Sequence, residues 1–164
     1  MKTLFLLAGA FLLMQSLDLA EVRSAYKEAA HDSSKVEVFY KSLSAVTKDD
    51  NISLVAYKGA AIALKAKQAP TIKEKKAGFM EGVSLIEFAI AKEPNAIEPR
   101  FVRLGIQENT PKLLKYKEDI EEDKSMLLSE FKNINSSNLK GHIKDYILQS
   151  KVFTTEEKTV ISKL

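Results

Sequence analysis

Apolar residues recur along most of the chain at spacings of three and four, the period of one face of a helix. Val22, Tyr26 and Ala29 fall on one side of a helix predicted over residues 18–32, with Arg23 and Lys27 turned to water. Ser34 followed by Glu37 has the spacing of a capping box, and a second helix is predicted from there to Val46, its bulky face made by Val36, Phe39, Tyr40 and Leu43. The wholly polar stretch from Lys48 to Asn51 predicts a turn. Asn51 can cap a third helix running to Lys67, in which Gly59 sits among alanines and permits another helix to come close.

Pro70 ends that run, and Thr71 with Glu74 predicts a capping box for a fourth helix carrying Phe79, Val83, Ile86 and Ile90 and stopping near Pro94. A short fifth helix follows, with Pro99 near its start and Phe101 and Leu104 inward. Thr110 before Pro111 reads as another helix start, because threonine caps and proline needs no donor in the first turn. From there the pattern predicts helix to Ile134, as one piece or as two joined near Asp123. After the polar run Asn133 to Asn138 come a helix with Leu139, Ile143, Tyr146 and Ile147, and a last one opened by Thr154 and Glu157. Helical spacing fills both halves, and strands do not alternate with helices as a parallel sheet requires. The predicted fold class is all-α, built from stacked antiparallel helical hairpins, with a closed helical bundle as the alternative.

The opening residues differ from the rest. Lys2 precedes an apolar run from Leu4 to Met14 that spans only about 16 Å as a helix, too short for a bilayer, and Gln15, Ser16 and Asp18 do not extend it. This is the pattern of a cleaved export leader over residues 1–17, leaving 18–164 as a single helical domain. Expected localisation is periplasmic or secreted, with no permanent membrane span. Ser16 and Ala20 both compete as the last leader residue. The chain has no cysteine, so a disulfide framework, a thiolate metal cage, a lipid-anchoring cysteine and a cysteine nucleophile are all excluded.

Gly59, Gly82, Ala89 and Pro94 match the small-residue and terminal-proline positions of a degenerate tetratricopeptide repeat over Asn51 to Pro94, although the linker between its helices is long for that repeat. Pro94 to Gly105 resembles a junction into a further repeat, and the likeness covers about residues 20 to 120. The leader and helical character are also similar to those of small exported Bacteroidota proteins. The repeat resemblance implies a scaffold whose helix pairs present a surface to a protein partner, and it is compatible with a homo-oligomer.

Twenty-five Lys and Arg against 22 Asp and Glu give a net charge of +3, or +2 once Lys2 leaves with the leader. That excess is too small, and aromatic stacking residues too few among the basic runs, to point to nucleic acid. No phosphate loop, zinc helix, haem attachment or nucleophile elbow is present, and no cofactor is expected. His31 and His142 are read as helix-end or surface residues. The densest charged run, Lys115 to Lys124, places Glu118 with Glu122 and Asp119 with Asp123 at helical spacing. These four are read as a solvated acidic face able to meet a cation or a basic peptide. The functional expectation is a non-catalytic adaptor or scaffold in the cell envelope. A structural envelope component is the near alternative, and the distant one is a metal-dependent enzyme whose carboxylate-lined cleft would bring together Asp119, Glu122 and His142.

Overall fold

Polar residues that interrupt the apolar pattern are where the helices begin. The computed structural model describes residues 17–164, so all of the leader but Leu17 lies outside the described residues. Asp18 caps α1 (Leu19–His31) by accepting the Ala20 N–H, Asn51 caps α3 (Ile52–Ala66) through the Ser53 N–H, and Ser136 caps α7 (Ser137–Gln149) through the Leu139 N–H. Reciprocal boxes made by Thr71 with Glu74 and by Thr154 with Glu157 open α4 (Ile72–Lys92) and α8 (Thr155–Ser162). Each such cap satisfies amides that the helix itself leaves unpaired and contributes about 1 kcal/mol. The remaining helices are α2 (Val36–Ser42), α5 (Ile97–Glu108) and α6 (Ile120–Glu130). Among the described residues there is no strand, and the fold is all-α.

Two expected boundaries move. Ser34 and Glu37 do not form a capping box: Asp32 takes the Ser34 N–H and sets a tight turn over Ser33–Lys35, while Glu37 pairs with Lys65 on α3 and with Lys41. Helix α2 also stops at Ser42 instead of Val46, where the chain turns, and Tyr40 is left exposed, off the buried face formed by Val36, Phe39 and Leu43. The second correction concerns residues 111–134. Thr110 turns its hydroxyl back to the Ile106 carbonyl, Pro111 leads into a single 3₁₀ turn at Lys112–Leu114, and Lys115 takes a left-handed φ of 49°. That residue ends the turn and swings the chain away, so α6 starts only at Ile120 and Leu113 lies in solvent.

Helices α3 and α4 make the tightest contact in the fold and run antiparallel. A Cβ added to Gly59 would lie 2.5 Å from the Gly82 carbonyl oxygen, and one added to Gly82 would lie 2.5 Å from the Gly59 carbonyl oxygen. Two backbones touch here, so the close approach expected of Gly59 is real and Gly82 is its counterpart. Around this seam α1 and α2 cover α3, and α5 lies against both α3 and α4. Consecutive helices pack as hairpins, α5 against α6 and α7 against α8. Helix α1 also meets α7 through Arg23 with Asn138 and Lys27 with Asp145, so the succession of hairpins closes on itself. In an open repeat stack each unit touches only its neighbours.

Helix α5 occupies the centre. Nine of its twelve residues are buried, among them Glu98, Arg100, Arg103 and Gln107. A helix buried all round must answer its own charges, and that requirement shapes the rest of the molecule.

Candidate binding cleft

The chain contains three arginines against 22 lysines, and all three arginines are buried. Arg23 on α1 grips Glu98 on α5 at 2.7 and 2.9 Å through two nitrogens, and Tyr57 on α3 donates its hydroxyl to the same carboxylate at 2.9 Å. The hydrogen bond and charge of Glu98 outweigh desolvation and raise the Arg23 pKa, while burial pushes the Tyr57 hydroxyl well up. On the far side of α5, Arg103 forks onto Asp123 of α6 with two contacts of 2.7 Å and reaches Glu87 of α4 at 2.9 Å. Arg100 joins Asp123 at 3.0 Å and Glu122 at 2.7 Å, and its Nε donates to the Pro94 carbonyl. Burial works against the Arg103 charge, yet Asp123, Glu87 and Asp119 together hold it above the ordinary guanidinium value. Planar, bidentate guanidinium groups suit such sites, and lysine cannot replace that geometry.

These pairs decide the fate of the acidic candidates. Asp123 is fully buried, which corrects its reading as part of a solvated face: its charge belongs to Arg100 and Arg103. Asp119 stands at the N-cap position of α6 but turns its carboxylate sideways to the Gln107 amide at 2.9 Å. Glu122 meets Arg100, and Glu118 lies in the exposed turn before the helix, so the two do not share a helical edge. Arginines occupy the carboxylate faces that a cation would need, and among the described residues no group of three or more His, Cys, Asp or Glu is arranged to hold a metal ion. Gln107 Oε1 is the one buried side-chain oxygen or nitrogen without a partner among the described residues.

His142 is elsewhere, on a cleft that Asp119 and Glu122 do not line. This cleft has a volume of about 580 Å³, within the usual range for small-molecule sites. It is formed where α1, α3, α5 and α7 all reach their C-terminal ends, closed on one side by the segment Ser150–Val152. Both histidines face it, although more than a hundred residues separate them in sequence. The floor is aromatic: the Phe101 ring meets Tyr26 edge-on at 6.3 Å and Tyr146 at 5.4 Å.

Helix C-termini carry unpaired carbonyls and a partial negative charge, so basic side chains gather at them. Lys27 and His31 lie in the last turn of α1, and Lys67 caps α3. The carbonyls of the last turn of α5 are answered within the chain, Gly105 by the Asn109 amide, Ile106 by Thr110 and Glu108 by Lys117. Lys27 pairs with Asp145 at 2.7 Å across the mouth from α1 to α7. Glu108 accepts the Tyr146 hydroxyl at 2.8 Å and the Lys151 N–H at 2.7 Å, tying the closing segment to α5. The His31 Nδ1–H donates to the Lys27 carbonyl at 2.7 Å, which in the neutral ring leaves Nε2 as an acceptor.

Tyr26 differs from the other tyrosines of the site. Its ring is buried, its pKa is raised by burial alone, and its hydroxyl has no hydrogen-bond partner among the described residues. A Cβ on Gly105 would come within 2.9 Å of that hydroxyl, so glycine is what lets the group stand at the wall of the cleft. Desolvation lowers the His142 pKa, helped by the charges of Lys27 and Arg23 against those of Asp145 and Glu98. Desolvation lowers the Lys67 pKa, although the residue is exposed.

Helical spacing marks Tyr26 and Tyr146 as core residues and His31 and His142 as helix-end or surface residues, and His31 does lie in the last turn of α1; no pattern in the sequence marks Glu108 or Lys67 as site residues. Only the rarity of arginine, and its place beside glutamate and proline in Glu98–Arg103, signalled the buried pairs. Comparison with protein-family models, with curated proteins and with solved structures gives no match. The likeness to tetratricopeptide repeats thus rests on the residues of this chain alone.

Proposed function

We propose that the chain is an exported, non-catalytic binding protein whose recognition site is the cleft among α1, α3, α5 and α7. The observation that supports this most is a cavity of about 580 Å³ with an aromatic floor, onto which the Tyr26 hydroxyl opens without a partner among the described residues. A ligand that excludes water from this wall must give the hydroxyl a hydrogen-bond partner, which favours a polar group at that point. Ion pairs on both sides of α5 hold the walls in register, the preorganisation that a binding site needs. Among the described residues neither cleft hydroxyl of Thr110 or Ser150 is hydrogen-bonded to a histidine, and this favours binding over turnover.

The test uses a plug. Ala30 is exposed and lines the cleft, so Ala30→Phe places a ring in its way without entering the core. Thermal unfolding is measured for the wild type and this variant against a panel of aromatic and aliphatic acids, amines and amides. A ligand at one hundred times its Kd adds about 2.7 kcal/mol. The reading predicts shifts of several degrees in the wild type that vanish in Ala30→Phe; equal shifts in both proteins refute it.

The protein-binding adaptor expected from the sequence is the second reading, and one feature favours it. A shallower groove of about 410 Å³ runs along Tyr40, Ile62, Ala69 and Pro70, and Tyr40 is exposed within it. Capture from solubilised envelope extract with wild type and Tyr40→Glu tests this reading: a stoichiometric partner lost by the variant supports it, and capture unaffected by the variant contradicts it.

A further inference from the structure

The chemistry of the ligand follows from an accounting of which groups in the cleft are already engaged, and this inference rests on the cleft being the recognition site. Both lining carboxylates are committed: Asp145 to Lys27, and Glu108 to Tyr146 and the Lys151 N–H. The backbone carbonyls of the last turn of α5 are committed as well. Among the described residues no ion pair engages the amines of Lys67 or Lys151, and the Tyr26 hydroxyl and the His142 ring make no hydrogen bond. The unspent charged groups are all cations, and the Tyr26 hydroxyl beside them is able to donate. What the cleft lacks is unspent negative charge, while uncharged acceptors remain at His31 Nε2 and the Asn109 and Gln149 side-chain carbonyls.

We propose that the cleft binds a small organic carboxylate with an aromatic or branched aliphatic body. The body packs on Phe101, Tyr26 and Phe79, and the carboxylate accepts from the Tyr26 hydroxyl, from Lys67, or from both. A single carboxylate fits better than a phosphate ester, because each buried arginine, the usual bidentate partner of phosphate, is held by a carboxylate outside the cleft. The partial desolvation that lowers the Lys67 pKa also strengthens the pair that Lys67 can form with an anion.

Three probes of the same shape separate charge from cavity: naphthalene-1-acetate, its neutral amide, and 2-(naphthalen-1-yl)ethylamine. The chain has no tryptophan, so naphthalene fluorescence reports binding to the full mature protein directly. The acid is expected to bind tightest, with the amide about tenfold weaker and the amine weaker still. Lys67→Met is expected to weaken the acid about tenfold and leave the amide unchanged, and Ala30→Phe to abolish all three. If the amide matches the acid or the amine binds best while Ala30→Phe still blocks binding, the carboxylate inference is overturned and the cleft reading stands. If no probe binds the wild type, or binding survives in Ala30→Phe, both fail.

Discussion

Asp123→Asn removes one charge from the centre of the molecule and changes almost no volume. The native carboxylate is fully buried and receives three charged contacts, two from Arg103 at 2.7 Å and one from Arg100 at 3.0 Å. Asparagine keeps one acceptor and points an NH₂ group at a guanidinium, so at least one contact becomes donor against donor. Removing one partner of a buried pair costs about 3–5 kcal/mol, because the other charge stays behind. Here the arginines keep wetter partners, Arg103 with Glu87 and Arg100 with Glu122, which places the loss at the lower end, about 3 kcal/mol. For a chain of this size that lowers Tm by about 6–12 °C. Urea unfolding followed by circular dichroism at pH 7 gives the number. A burial argument also requires the loss to persist in 0.5 M NaCl, since salt screens exposed pairs far more than buried ones. The double variant Arg103→Met with Asp123→Leu should recover at least half of it, because apolar groups of similar volume often replace a buried pair at little cost. A loss under about 1 kcal/mol for Asp123→Asn, or one that disappears in salt, would refute the reasoning.

Other predictions follow from the seam between α3 and α4, from His142 and from Gln107. Gly59→Ala and Gly82→Ala each press a Cβ to 2.5 Å from a carbonyl oxygen of the opposite backbone and should each cost about 2–3 kcal/mol in urea unfolding, whereas Gly141→Ala, with open space around it on α7, should gain up to about 1 kcal/mol. The His142 pKa is depressed in the folded state by burial and by Lys27 and Arg23, so the folded protein resists its protonation: the contribution is complete above pH 6.5 and is lost as pH falls below it. His142→Gln should flatten the fall in stability between pH 7 and 5, and an unchanged slope would contradict the assignment. Gln107→Met removes the unpartnered Oε1 together with a hydrogen bond to the part-exposed Asp119, and the two effects should cancel to within about 1 kcal/mol by urea unfolding.

Much of the fold is legible in the sequence because helix starts are local chemistry. Asn51, Thr71 with Glu74, and Thr154 with Glu157 announce their helices through a hydroxyl, amide or carboxylate acting within one turn. Ser34 with Glu37 carries the same signature and fails, since Asp32 competes for the same amide and Lys65 on another helix draws Glu37 away. The start at Thr110 and Pro111 fails for a similar reason: a left-handed Lys115 breaks the run, and α6 takes its position from Arg100 and Arg103. Periodicity sends every charge outward, so it placed Arg23 and Asp123 in water when both are buried. The cleft was hidden for a different reason. It exists only where four helix ends meet, and neither Tyr26 nor His142 carries any local mark of the other.

The most direct test of the cleft as a recognition site is nuclear Overhauser transfer from the naphthalene ring of bound naphthalene-1-acetate to the methyl groups of the protein. The account predicts transfer to Ala30 and Val152, which line the cleft, with shifts in the Gly105 amide. Transfer to Ile62 and Ala69 in the groove beside Tyr40, with the cleft methyls silent, would contradict it.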